Sequence, residues 1–397
     1  MAYKITNYLD GKEPTLQELH DARNRWGAMS ASAILKCAET EGIGIRKLIE
    51  IADTTQRYPV ALVAKEYYGE QFGLTEDTLE TFIQITNMGI TGAGFNFEMF
   101  VGKTENGVTA EQFRCPLIDY GQQAGYEVGH PAYEEHSLWC DTYDNFESAA
   151  VAPTQGMVHT HCLGRGDKSC RLYMETIDEE HRRQEGEHIH DYLKRMRDTW
   201  RARKPDGPWL VDQYSKDIQE ELARENWDGI TESQNQIAPT LYDKKKRSIE
   251  TQGRIGASSL LIAGHLLGWD RMVSSMSERE GPALQKEARA RIKSHNIKGD
   301  SASDAAELHL RLVKGMGFGE YEVIKESDNC VTGSCTSCPI IDYGKESDLE
   351  EGSKNVSKWC SAARTFEAQT VNKNLTHTYT HCIGKGDKEC RWIIDKL

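Results

Sequence analysis

The sequence predicts an α+β chain of two tandem homologous domains, each a helical N-terminal part followed by a small α/β unit with a cysteine-bearing β-hairpin. Length, a repeated set of cysteine segments and a repeated order of periodicities carry that expectation. At 397 residues the chain exceeds one ordinary core, so two domains of roughly 180 to 200 residues are expected. CPLIDYG, beginning at Cys115, returns as CPIIDYG at Cys338. LWCDTYDNFESAAV around Cys140 answers KWCSAARTFEAQTV around Cys360, sharing Trp-Cys, Phe-Glu and a closing Val. HTHCLGRGDKSCRLYME from His159 returns as YTHCIGKGDKECRWIID from Tyr379, with eight of the eleven residues from His161 to Arg171 identical. These anchors keep their order and are offset by 223 residues and then 220, which implies a tandem duplication.

The first copy spans 1–205. Residues 15–39 and 45–69 carry apolar side chains at three- and four-residue spacing, the period of amphipathic helices. Counterparts in the second copy, 210–397, are SSLLIAGHLLGWDRMVSSM and PALQKEARARIKSH. Short runs rich in aromatic or β-branched residues and flanked by Gly follow, at 94–102 and 319–327, and predict strands. Residues 177–203 read as a charged linker helix stopped by the Pro and Gly of KPDGPW, which sets the boundary near 204–209. His188 and His190 in that helix would point about 200° apart, so they read as a solvated face rather than a ligand pair.

A net charge of −14 with no basic run excludes nucleic acid as an expected partner. No secretory signal is visible, and no apolar run reaches the ~18 residues of a membrane span; residues 257–269 read as a buried helix. The expected location is cytoplasmic, with a small molecule as partner and a homo-oligomer compatible with the sequence. Eleven cysteines in a reducing compartment point to metal or chemistry before disulfides.

In the repeated hairpin, Cys162 and Cys170 bracket a turn in which Gly164, Gly166 and Asp167 permit a tight reversal. A hairpin brings two such sulfurs close enough to share a tetrahedral ion, since Zn–S bonds are ~2.3 Å. Cys140 is the candidate third ligand, with His159 or His161 the fourth; the two histidines alternate onto one strand face. The second copy offers Cys360, Cys382, Cys390 and His381, with Tyr379 in the place of His159. A fully ligated site of this kind is structural. Unmetallated buried cysteines and a cross-strand disulfide are the plain alternatives.

Cys115 and Cys338 each precede a Pro that suits the first position of a helix, which leaves the cysteine at the N-cap, where the helix dipole favours thiolate. Asp119 and Asp342 follow one turn later, placed to orient water or substrate. These four are the candidate catalytic residues, against the plain reading of a packed Cys beside a first-turn Asp. Copy two adds Cys330 and Cys335, a C-x4-C-x2-C run able to serve an iron–sulfur cluster, whereas Cys37 reads as core.

Helical half, Cys115-Pro116, Cys140-Asp141 and Gly166-Asp167 with Cys170 together resemble the L-2-amino-thiazoline-4-carboxylic acid hydrolase-like family, and the hairpin also resembles zinc-binding vinyl-reductase-type small-molecule-binding domains. The second resemblance implies zinc held by Cys140, His159, Cys162 and Cys170 in copy one and by Cys360, Cys382 and Cys390 in copy two. The first implies hydrolysis of a carbon–nitrogen bond in a small heterocyclic or amide substrate, with ring opening. The competing expectations are a non-catalytic zinc-braced small-molecule or tetrapyrrole sensor and an iron–sulfur or haem redox protein.

Overall fold

The computed structural model describes residues 14–70, 72–92, 99–103, 107–203, 208–217, 240, 243, 246, 249–319 and 321–397. The chain is α+β, with two small antiparallel sheets of four strands each. Two compact units carry them. The first-sheet unit takes Ile34–Asp119 and Tyr126–Ile237; the second-sheet unit takes Ala238–Leu397 together with Met1–Ala33 and Tyr120–Gly125. A single cut near 204–209 therefore does not separate the units cleanly, and residues 204–207 of that stretch lie outside the described residues.

Helix α1 (Leu16–Glu39) explains the difference. Its Trp26 is fully buried in the second-sheet unit, where helix α8 (Arg254–Leu267) approaches so closely that a methyl group on Gly256 would lie 2.7 Å from the Trp26 carbonyl oxygen. Gly315, the last residue of α11 (Ala302–Gly315), has no room for a methyl group against the Glu18 carbonyl. Two glycines thus let three helix backbones touch. Gly315→Val should cost about 1–3 kcal/mol by overpacking this contact, measured by urea unfolding. An unchanged midpoint would mean that α1 does not pack there.

In the first-sheet unit, helix α2 (Gly44–Thr55) buries Ile45, Leu48, Ile49 and Ala52, the spacing that its sequence predicts. Helices α3 (Arg57–Ala64) and α4 (Leu79–Gly92) follow, then β1 (Met99–Lys103), β2 (Gly107–Gln112), α5 (Pro116–Gln123), α6 (His136–Ser148), β3 (Gln155–His161), β4 (Cys170–Thr176) and α7 (Ile189–Arg203). The sheet order is β1-β2-β4-β3. Of the strand expected at 94–102, residues 94–98 lie outside the described residues.

The linker helix is shorter than expected. It begins only at Ile189, because Gly186 turns with φ 76° and the Glu187 carboxylate accepts from Arg195 at 2.9 Å and from the Gln184 N–H at 3.0 Å. His190 is buried and lies 2.9 Å from the Glu135 carboxylate, so this is not a solvated histidine face.

The second-sheet unit repeats the pattern. Helices α8, α9 (Trp269–Ser275), α10 (Gly281–Ser294) and α11 precede β5 (Tyr321–Glu326), β6 (Cys330–Cys335), α12 (Pro339–Glu346), α13 (Val356–Val371), β7 (Leu375–His381) and β8 (Cys390–Lys396). Its sheet order is β5-β6-β8-β7. The run expected to be a buried helix is one, with Leu260, Leu261 and Ile262 fully buried. Trp392, Ile394, Leu375 and Val331 pack with Ala302, Ala305 and Ala306 of α11 to form one core cluster. Among the described residues no helix is long and apolar enough to cross a membrane.

Candidate metal centre

Each cysteine hairpin is two antiparallel strands joined by a 3-10 turn. Cys162 caps Leu163–Arg165 with φ −146° and ψ 128°, and Gly166 closes the turn with φ 94°. Cys382 caps Ile383–Lys385 with φ −146° and ψ 127°, and Gly386 has φ 93°. A side chain at either glycine would be strained in this left-handed region. The Asp of the repeated Gly-Asp holds the turn from inside: the Cys162 N–H donates to Asp167 at 2.7 Å, and the Cys382 N–H to Asp387 at 2.7 Å. The Leu163 and Ile383 N–H groups donate to the Cys170 and Cys390 sulfurs, each at 3.3 Å. Donation to sulfur favours thiolate, but contact with Cys115 and Cys162 in one hairpin and with Cys335 in the other, together with burial, outweighs it and pushes both thiols up.

A bulge decides which histidine faces these sulfurs. His159 stands opposite Leu172 and His161 opposite Arg171, with the register shifting between them. Cys170 and Leu172 share one face of β4, and Arg171 points to the other. The expectation that His159 and His161 share a face is therefore corrected: the extra residue at Thr160 sends His161 away from Cys170. His161 packs edge-on against Trp209, which also lies 3.9 Å from the Arg171 guanidinium. The same shift separates Tyr379 from His381, which stands opposite Arg391 and is exposed. His161 and His381 thus lie on the wrong face to join Cys170 and Cys390, while His159 and Tyr379 lie on the right one.

The remaining cysteines come from α5, α6 and their counterparts. Cys115, just before α5, makes a hydrogen-bonding contact with Cys170, which in turn contacts Cys162. Cys140, half-buried on α6, has its thiol pushed well above the ordinary value by burial and by nearby Cys115, Asp144 and Cys162. Cys162 is the thiolate of the group: the Cys170 contact, outweighing burial, and the adjacent His136 hold it well below the usual thiol range. His136 is 1% exposed and makes a hydrogen-bonding contact with the Cys162 sulfur.

In the second-sheet unit Cys382 contacts Cys390, and Cys390 contacts Cys335, its direct cross-strand neighbour. Cys338 lies near Cys390, Cys360 and Cys382, and burial with these sulfurs raises its thiol well above the ordinary value. The N-cap position therefore does not activate Cys338 as its sequence suggests, because desolvation outweighs the dipole of an eight-residue helix. Burial and Cys382 push Cys360 up to about 12, against the pull of Arg364.

The sulfurs meet in short chains, Cys115–Cys170–Cys162 and Cys335–Cys390–Cys382. Among the described residues, the only three potential donors all within 4.8 Å of one another are Asp178, Glu180 and His181, a largely exposed group. Cys330 ends β6 opposite to Cys335, five residues or about 16 Å away along a strand, so it is out of reach of the other sulfurs. Family models, curated proteins and solved structures yield no match to this chain.

Beside the sulfurs of the first-sheet unit lies an acid–base group of which the sequence singles out His159 only as a metal ligand, Asp141 only within a family motif, and Asp144 not at all. Asp141 accepts from the His159 backbone N–H at 2.8 Å and lies 2.6 Å from its Nδ1. Burial disfavours the imidazolium, but the Asp141 charge and hydrogen bond outweigh it and bring His159 up to about 9. Asp144, one turn on from Cys140, is pushed up to about 7 by burial and by Asp141 and Glu147, against the pull of His159. At the corresponding positions the second-sheet unit has Ser361, Tyr379 and Arg364.

The expected catalytic aspartates sit differently. Asp119 is about one-third exposed and pairs with Arg114 at 2.8 Å, its N–H bonding the Cys115 carbonyl. Asp342 is buried in the first turn of α12, with its N–H on the Cys338 carbonyl at 3.2 Å.

Proposed function

We propose that the chain is a tandem duplication of one metal-braced small-molecule-binding domain, and that its first-sheet half hydrolyses a carbon–nitrogen bond of a small heterocyclic or amide substrate. The observation carrying this reading is the Asp141–His159 pair with Asp144 beside it. The duplication rests on the equal strand order, the matching hairpin dihedrals and the bulge at equivalent positions of both sheets.

Zinc fits the donor chemistry. Cys115, Cys140, Cys162 and Cys170 would hold it in one half, and Cys338, Cys360, Cys382 and Cys390 in the other. Buried His136, in hydrogen-bonding contact with Cys162, supplies a further donor. This set assigns Cys115 and Cys338 as fourth ligands instead of nucleophiles, and needs no histidine where the second half has Tyr379. A four-thiolate zinc site is closed, so the chemistry it supplies is a cross-link that fixes hairpin, helix and loop.

Turnover then falls to the carboxylates and His159. Asp144 as carboxylate takes a proton from water while the water oxygen bonds to the substrate carbon; the His159 imidazolium, oriented by Asp141, gives its proton to the leaving nitrogen as the C–N bond breaks. In the second-sheet half, Ser361, Arg364 and Tyr379 at these positions favour binding without turnover.

A screen of cyclic amidines and amides for ring opening tests the assignment. Activity in the intact chain should fall about 10²- to 10⁴-fold in Asp144→Asn and His159→Gln. Substrate binding without any product would sink hydrolysis and leave the zinc-braced binding protein.

A further inference from the structure

The second-sheet unit contains a concentration of buried positive charge that neither the metal centre nor the hydrolytic reading uses. Arg25 of α1, Arg291 of α10 and Arg364 of α13 are 1%, 2% and 6% exposed. All three converge on one carboxylate. Glu367 accepts from Arg25 and, at 2.9 and 3.0 Å, from Arg364, and Arg291 approaches it at 3.3 Å. Glu287 adds contacts at 3.2 Å to Arg25 and 3.7 Å to Arg291. Asp21, bonded to His295, also lies within electrostatic reach of Arg291, so three carboxylates face the three guanidiniums.

The hydrogen-bond inventory points the same way. Nε, Nη1 and Nη2 of Arg291 all lack a hydrogen-bond partner, as do Nε and Nη1 of Arg25. Arg364 Nη2 finds only the Met316 sulfur at 3.8 Å. Around them stand more unsatisfied polar atoms: both ring nitrogens of buried His377 and Nδ1 of buried His309, whose rings lie 4.8 Å apart. A guanidinium removed from water with its donors unmade carries a large desolvation penalty, and a cluster of them signals an absent acceptor. The fork of guanidinium N–H groups matches an oxyanion, which accepts two parallel hydrogen bonds from one arginine.

We propose that Arg25, Arg291 and Arg364 form a binding site for a small oxyanion, the carboxylate or phosphate group of a ligand. The guanidinium donors without acceptors set the chemistry of the ligand, since an arginine donates and never accepts. Arg291 supplies N–H groups that its ion pairs with Glu367 and Glu287 leave without a hydrogen bond, Arg25 adds Nε and Nη1, and Glu367 ties the three guanidiniums together. The bordering Cys360 and Tyr379 place this site on the same face of α13 as the sulfur that the metal would draw on. The first-sheet counterparts of Arg364 and Tyr379 are Asp144 and His159, so the two halves would differ in ligand charge. This inference does not depend on hydrolysis by the other half.

The test is calorimetric titration of the full chain with inorganic phosphate and, separately, with acetate and malonate, at ionic strength held constant with chloride. Saturable binding at one site is expected for at least one of them, with preference between phosphate and carboxylates identifying the group. Arg291→Lys keeps the charge but loses the fork, and should weaken that binding at least 10-fold; Arg25→Lys serves as the second variant should the first fail to fold. Absence of binding beyond the chloride control, or unchanged affinity in the folded lysine variant, would overturn the site.

Discussion

With one zinc ion in each half, as proposed, replacing Cys338 by serine should remove about one ion per chain, and Cys115→Ser the other. The sequence suggests the opposite, since a thiol at a helix N-terminus invites use as a free nucleophile. In the structure Cys338 is 5% exposed, its thiol is raised by burial, and it is surrounded by the sulfurs of Cys390, Cys360 and Cys382. A neutral buried thiol attacks poorly, but the same position suits a thiolate compensated by a cation. Because metal binding and folding are one equilibrium in such sites, each serine variant should also melt at lower temperature, and chelator should destabilise wild type more than either variant. Metal analysis of the purified proteins with Cys330→Ser as the control settles the matter. Full metal content in Cys338→Ser would return that cysteine to the list of nucleophiles.

Glu367→Gln should cost about 3–5 kcal/mol, because it leaves Arg25, Arg291 and Arg364 buried without their shared carboxylate. Burial alone would raise the Glu367 carboxyl, but the charges of Arg25, Arg364 and Arg291 outweigh it and hold the group below the ordinary range. The sign of the pH dependence follows. A depressed folded-state value means stability that is present in full above the unfolded value of ~4.3 and is lost as pH falls through the folded one. The wild type should therefore show a steep acid limb below about pH 4 that the glutamine variant lacks. Unfolding midpoints at pH 7 and pH 3 check both statements. Equal stability of the two proteins at neutral pH would mean that the three guanidiniums do not share this carboxylate.

Strands β2 and β6 escaped the sequence, but the α+β class was legible because its signals are local. Apolar periodicity marks the helices, and Gly166 and Gly386 close their turns at a positive φ that glycine favours. The bulge at Thr160 was not, since register belongs to a pair of strands and HTH alone reads as simple alternation. It reversed the roles of His159 and His161. Residues 177–188 misled through composition: charged side chains at helical spacing also suit a loop whose ion pairs hold it in place. The arginine cluster joins positions 25, 291 and 364, a separation no window can span. Its one local trace was the Phe-Glu shared by the Cys140 and Cys360 segments, which puts Glu147 and Glu367 one face along from each cysteine. Asp144 escaped notice because its counterpart, Arg364, carries the opposite charge.

The placement of Trp26 in the unit built mainly from the far end of the chain has a cost in time. A ribosome adding ~5–20 residues per second needs tens of seconds to pass from this helix to Gly256 and then Gly315. For that interval a large indole has been synthesised without the groove that houses it. Severing the polypeptide near 204–209 would make the separation permanent, and the later fragment would emerge with a vacant slot where α1 should lie.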